Sequence, residues 1–84
     1  MPTIEARIRK IIADLLGAGL EDVVDGANLV NDLGADDLDL VELGLIIEEE
    51  FRGEMSDEDF DKIKTVKDII DFVTGKITMG EWKG

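Results

Sequence analysis

Apolar residues at Ile4, Ile8, Ile11, Ile12, Leu15 and Leu16 are separated by four, three, one, three and one positions, which places them on one stripe of a helix. The pattern predicts a first helix that starts after Thr3 and ends near Leu16. Thr3 can accept hydrogen bonds from first-turn N–H groups, and Gly17 and Gly19 let the chain leave helical geometry. The stretch from Ala18 to Ala35 has no such period. Its turn formers Gly26, Asn28, Asn31, Asp32 and Gly34 are interleaved with Leu20, Val23, Val24, Leu29, Val30 and Leu33. It reads as a long loop whose apolar residues anchor it to a core, because an unattached loop of that length is uncommon in a small domain.

A second helix is predicted from Asp37 to about Arg52, with Leu38, Val41, Leu45, Ile46 and Phe51 at core spacing and Asp39, Glu42, Glu48 and Glu49 on other faces. Asp36, Asp37 and Asp39 mark its start, where unpaired N–H groups and the positive end of the helix dipole favour carboxylates. Leu40 and Leu43 widen the apolar face, and Leu40, between Leu38 and Val41, reads as the more exposed of the two. Gly44 inside a helix costs about 1 kcal/mol against Ala, which points either to close approach of another element or to a tolerated weakness. Gly53 breaks this helix. Ser56 followed by Asp57, Glu58 and Asp59 predicts a capped short helix through Ile63, with Phe60 and Ile63 inward. Thr65-Val66-Lys67-Asp68 starts a last helix with Val66, Ile69, Ile70 and Val73 as its buried stripe and Gly75 as its stop. Residues 77–84 hold Ile77, Met79 and Trp82 without a period and read as a flexible tail beyond a domain of residues 1–76. With no strand-type alternation, the fold class is all-α: a four-helix bundle of three longer helices and one short one, with a long loop between the first two.

Composition narrows the chemistry. The 84 residues include nine Lys plus Arg against 21 Asp plus Glu, a net charge of −12, and neither His nor Cys. Disulfides, thiolate metal sites, His- or Cys-based catalysis and imidazole pH switches are thereby excluded. The 44% of hydrophobic residues is an ordinary globular fraction, so the acidity does not imply disorder. Nucleic acid and anionic membrane would be repelled by such a charge, and the complementary partners are proteins that present Lys and Arg. The apolar runs are too short for membrane insertion, and no signal-peptide pattern is evident near Met1, so a cytoplasmic location is the expectation. Asp57, Asp59, Asp61 and Asp68 match positions 1, 3, 5 and 12 of a calcium loop, but position 6 is Lys62 where the turn needs Gly. No metal site is assigned. Without displaced acid–base pairs there is no case for an enzyme.

The run Asp32-Leu33-Gly34-Ala35-Asp36-Asp37-Leu38-Asp39-Leu40-Val41-Glu42-Leu43, followed by Glu48-Glu49-Glu50-Phe51, resembles the acyl carrier proteins of bacterial fatty-acid synthesis. The resemblance continues through Ile4-Glu5, Ile11-Ile12, Asp57-Glu58, Lys62-Ile63 and Thr65-Val66, and so covers roughly residues 3 to 75. It implies a four-helix bundle with a long first loop, and a carrier that holds acyl groups on 4′-phosphopantetheine attached to the serine of an Asp-Ser-Leu motif. Here the motif is Asp36-Asp37-Leu38, with Asp37 at the position of the serine. A carboxylate with a reference pKa of about 3.9 is a weak nucleophile, and its attack on phosphorus would give a hydrolysable mixed anhydride instead of a phosphodiester. No cofactor is therefore expected on this chain. The lone serine, Ser56, is explained as a helix cap. Asp37 is open to two compatible readings, a capping residue at a helix start or a block that keeps the chain unmodified, and its charge imitates part of a phosphodiester's field.

Asp36, Leu38, Asp39, Leu40, Glu42, Glu48 and Glu49 stand where the resemblance places contacts with basic enzyme patches. It implies a monomer that docks weakly and salt-sensitively on fatty-acid or polyketide biosynthetic enzymes and other basic-patch proteins. The alternative is a regulatory or interaction module of the same fold that never carries an acyl group. In a working carrier Val30, Leu45, Ile46, Phe51, Ile63, Ile70 and Val73 would line a shelter for the acyl chain; without an arm, a filled core is the expectation.

Overall fold

Each helix opens on a short polar side chain that accepts the backbone N–H three residues further on. The computed structural model describes residues 3–84 and contains α1 (Ile4–Leu16), α2 (Asp37–Phe51), α3 (Asp57–Lys62) and α4 (Val66–Thr78). Thr3 caps α1 by accepting from the Ala6 N–H at 3.0 Å. Asp36, Ser56 and Thr65 open α2, α3 and α4 as reciprocal capping boxes with Asp39, Asp59 and Asp68. In such a box two otherwise unpaired backbone donors are satisfied together. The predicted four-helix, all-α architecture is observed, and α1 packs on both α2 and α4. The core joins Ile8 and Ile12 of α1, Leu43, Ile47 and Phe51 of α2, and Val66, Ile69 and Val73 of α4.

The boxes that open α3 and α4 have a pH signature. Asp68 accepts from the Lys64 and Thr65 N–H groups at 3.0 Å each, and these bonds, Lys64 first, hold its carboxyl below the usual carboxylate range. The Ser56 N–H does the same for Asp59. A carboxylate depressed in the folded state contributes stability that is full above its unfolded pKa of about 3.9 and fades as pH falls through the folded value. Asp68→Ala is expected to cost about 1 kcal/mol near neutrality, and the gap in melting temperature from the parent should narrow below pH 4.

The loop between α1 and α2 is laced to the junction of α3 and α4. The Leu29 N–H donates to the Lys64 carbonyl at 3.0 Å, and the Val66 N–H donates to the Ala27 carbonyl at 3.1 Å. Val23 and Leu29 are fully buried anchors, whereas Leu20, Val24 and Val30, expected to serve likewise, are exposed. Backbone pairing, with Arg9 donating to the Val23 carbonyl and bridging Glu5 and Asp25, holds this loop with fewer side-chain anchors than its sequence offers.

Two expectations are corrected. The buried face of α2 is Leu43, Gly44, Ile47 and Phe51, with Leu40 half-buried against the core. Leu38, Val41 and Leu45 are exposed, and Ile46 is only partly buried. Aliphatic residues occur all round this helix, so periodicity alone cannot select its inner face. Gly44 selects it: a Cβ there would overlap the Phe60 ring of α3, so only this face admits that close approach.

The second correction concerns residues 77–84. α4 continues through Gly75 to Thr78, and the chain then turns at Gly80, with φ of 79°. The Glu81 and Trp82 N–H groups donate to the Lys76 carbonyl at 3.0 and 3.2 Å, and the Gly84 N–H donates to the Phe51 carbonyl at 3.1 Å. Trp82 is buried, edge-on to Phe72 at 5.5 Å between centroids and seated over Gly53, where a Cβ would overlap the indole. The segment is part of the core and not a loose tail.

α2 ends on Arg52, a non-glycine residue in the left-handed region with φ of 55°. That conformation costs an L-residue about 1–2 kcal/mol. Arg52→Gly is therefore expected to raise stability by up to about 1 kcal/mol, measurable by denaturant melts.

Candidate functional site

A folded turn fixes where α2 begins. The Asn28 side-chain oxygen accepts from the Val30 and Asn31 N–H groups at 3.0 and 2.9 Å, and Asp32 accepts from the Asn28 N–H at 2.7 Å. Gly34, with φ of 75°, and the buried Ala35 then lead into the helix, the Ala35 N–H donating to the Leu29 carbonyl at 2.8 Å. Asp36 accepts from the Asp39 N–H at 2.8 Å and Asp39 returns the bond from the Asp36 N–H at 3.1 Å. The cap is thus Asp36. Asp37, considered above for that role, is the first helical residue and is exposed.

Beside it lies a cleft of about 610 Å³, walled by residues of α2, α3 and α4. This is within the range of about 300–1,000 Å³ of small-molecule sites. Leu40, Leu43, Met55, Phe60, Ile63 and Phe72 form much of its apolar wall, and Asp37 also lines it. Of the residues expected to surround such a space, Val30, Leu45, Ile63 and Val73 do so, while Ile46, Phe51 and Ile70 do not. Phe51 is instead fully buried in the core, with the Arg7 guanidinium 4.4 Å from its ring centroid. The filled interior expected from the sequence is replaced by an open one. Core periodicity reports which residues turn inward and carries no information about voids between them.

The residues singled out for docking divide into two groups. The Asp36 and Asp39 carboxylates are engaged in the capping box, Glu48 accepts from the Met55 N–H at 2.7 Å and holds the α2–α3 connection, and Leu40 is half-buried. Leu38, Glu42 and Glu49 are exposed. Val41 and Leu45, assigned above to the core, join them: Leu38, Val41 and Leu45 are 79%, 55% and 59% exposed. Positions 38, 41, 42, 45 and 49 share one helical face, so α2 presents an apolar stripe flanked by acids. The signal was in the sequence as the same period shifted in phase. Glu50, by contrast, is paired with Arg7 of α1 at 2.7 Å.

A protein-family model described as a phosphopantetheine attachment site matches residues 6–73. The chain belongs to the acyl carrier protein family. Among solved structures, a proposed acyl carrier protein from Mycobacterium tuberculosis is similar to it at 33% identity, with a TM-score of 0.79, over 87% of this chain and 97% of that one. Acyl carrier proteins are carrier domains and not enzymes, in keeping with the absence of His and Cys here.

Phosphopantetheine joins a carrier as a phosphodiester and needs a hydroxyl. The first turn of α2 in this acyl carrier protein, from Asp36 to Asp39, offers carboxylates and one Leu. The residues present do not fit the group. The Ser56 hydroxyl accepts from the Asp59 N–H at 3.2 Å, in the cap role expected for it. Among the described residues no three His, Cys, Asp or Glu side chains are grouped to hold a metal ion, and no helix is long and apolar enough to cross a membrane.

Proposed function

We propose that this chain is an acyl-carrier scaffold of fatty-acid or related acyl biosynthesis that docks on enzymes through α2 and stays unmodified because Asp37 stands in place of the attachment serine. The observation that carries this reading is the position of Asp37, at once the exposed first residue of α2 and part of the lining of an apolar cleft. That is where an arm would have to begin if its acyl chain were to enter the cleft. A monomeric, cytoplasmic protein is the corresponding expectation.

Docking rests on the stripe of Leu38, Val41 and Leu45 with Glu42 and Glu49 beside it. The hydrogen bonds of Asp36, Asp39 and Glu48 are used internally, so these residues add to the field of α2 more than to contacts. Rim charges of this kind steer encounter and fix orientation, and act chiefly on the association rate. The charge reversal Glu42→Lys with Glu49→Lys is expected to slow association with a phosphopantetheinyl transferase about tenfold at low salt, measured by surface plasmon resonance, with a much smaller difference at high salt. An unchanged rate would remove α2 as the docking element. The regulatory-module reading shares this face and is favoured by Asp37 itself; it differs in predicting that partners bind the chain without any acyl group being involved.

A further inference from the structure

We propose that residues 80–84 form a latch, which opens as one unit with the connection between α2 and α3 while the helices stay folded, and which in opening releases two walls of the cleft. The closed latch has a single side-chain anchor. Gly80, Glu81, Lys83 and Gly84 are exposed, and Trp82 alone is buried. Its N–H groups donate to the carbonyls of Lys76 and Ile77 near the end of α4 and of Phe51 at the end of α2, and its ion pair, Glu81 with Lys76 at 3.0 Å, is partly exposed. None of these hydrogen bonds or ion pairs reaches α1, the helix that packs on both α2 and α4. A segment fixed in this way opens at far less cost than the whole domain unfolds, and Gly80, with φ of 79°, is the pivot.

What the anchor touches distinguishes the latch from an ordinary frayed end. The indole is edge-on to Phe72 and covers Gly53. Phe72 lines the cleft and Trp82 does not, so the indole backs that wall from outside. Gly53 lies in the connection from α2 to α3, where Met55, a second wall residue, is held by the bond from its N–H to Glu48 at 2.7 Å. Glu48 also borders a groove on the latch side, together with Arg52, Gly53, Lys76 and Trp82. Cleft and groove therefore adjoin at Glu48, with Met55 and Phe72 on one side and Trp82 on the other. Neither residues 52–56 nor α3 contains a fully buried side chain, so the order of the connection depends on the indole that covers it. Arg52, held at φ of 55° next to Gly53, adds strain that a released connection relaxes. The inference is independent of what Asp37 does.

Native-state amide hydrogen exchange on the intact protein, followed by NMR at rising urea below the unfolding transition, tests the latch. The expected result is one opening equilibrium shared by the Gly53, Met55, Trp82 and Gly84 amides. It should be at least about tenfold more populated than the opening that exposes Ile8, Ile12 and Ile69, and much less dependent on urea, because little surface is exposed. Arg52→Gly, which removes the strain from the closed state, should slow exchange at Trp82 and Gly84 several-fold. Trp82→Ala should bring Gly53, Met55 and Gly84 to nearly unprotected rates, with Ile8, Ile12 and Ile69 still protected and the far-UV circular dichroism of the helices retained. Exchange of all four amides only through the unfolding that exposes Ile8 and Ile12, with the same urea dependence, would overturn the proposal, as would loss of the helical signal in Trp82→Ala. Fast exchange at Trp82 and Gly84 alone, with Gly53 and Met55 following the core and Arg52→Gly without effect, would mean fraying of the chain end and would overturn it equally. Either failure would leave the transferase measurements on α2 untouched.

Discussion

The Asp37→Ser variant is expected to acquire a phosphopantetheine arm from coenzyme A and a broad-range phosphopantetheinyl transferase, where the parent acquires none. The change is local and the scaffold around it is already in place. Residue 37 is exposed at the first helical position of α2, and the capping box that starts the helix belongs to Asp36 and Asp39, so it survives the substitution. A hydroxyl there replaces a carboxylate whose phosphorylated product would hydrolyse, and the product becomes a stable phosphodiester. Stability should change little, since Asp and Ser are both accepted in a first turn and the lost dipole interaction is about 0.3–1 kcal/mol. Intact mass reads the result as all or none. A variant that remains folded and unmodified would show that the chain has lost more than the attachment atom.

The largest stability effect is expected from Trp82→Ala. The indole is buried over Gly53 and edge-on to Phe72, and truncating an aromatic side chain of that kind typically costs about 3–5 kcal/mol. For a domain of this size each kcal/mol moves Tm by roughly 4–8 °C, so a fall of more than about 12 °C is expected. Met79→Ala, a few residues earlier and largely exposed, should change Tm by little. Gly53→Ala provides an independent arm, because its Cβ would collide with the indole: its cost should shrink once Trp82 has been truncated, a coupling that two unrelated sites would not show. A Trp82→Ala shift of only a degree or two would mean that the end of the chain contributes nothing to the core.

Features set by neighbouring residues were legible in the sequence. Thr3, Ser56 and Thr65 declared the starts of α1, α3 and α4 because capping is settled within four residues, and Asp37 was placed as the first residue of α2 by the acids around it. Features set by distant partners were not. The inner face of α2 depends on Phe60 reaching Gly44, and the order of residues 77–84 depends on Trp82 reaching Gly53. Leu, Ile and Val on every side of α2 left its rotation undetermined, and a single Trp has no period to read. The docking residues were partly displaced for the same reason: with α2 rotated, Val41 and Leu45 come to the surface and Leu40 turns toward the core. The family motif itself, from Asp32 to Leu43, was fully visible because it is contiguous.

The most direct test of the account places the parent and its Asp37→Ser variant in one transferase reaction with coenzyme A, followed by intact mass. Only the variant is expected to gain the arm, and a rising excess of the parent to slow this gain, because the parent presents the same α2 face and competes for the enzyme without reacting. A stable mass gain on the parent, or a rate for the variant that does not respond to the parent at any excess, would contradict it.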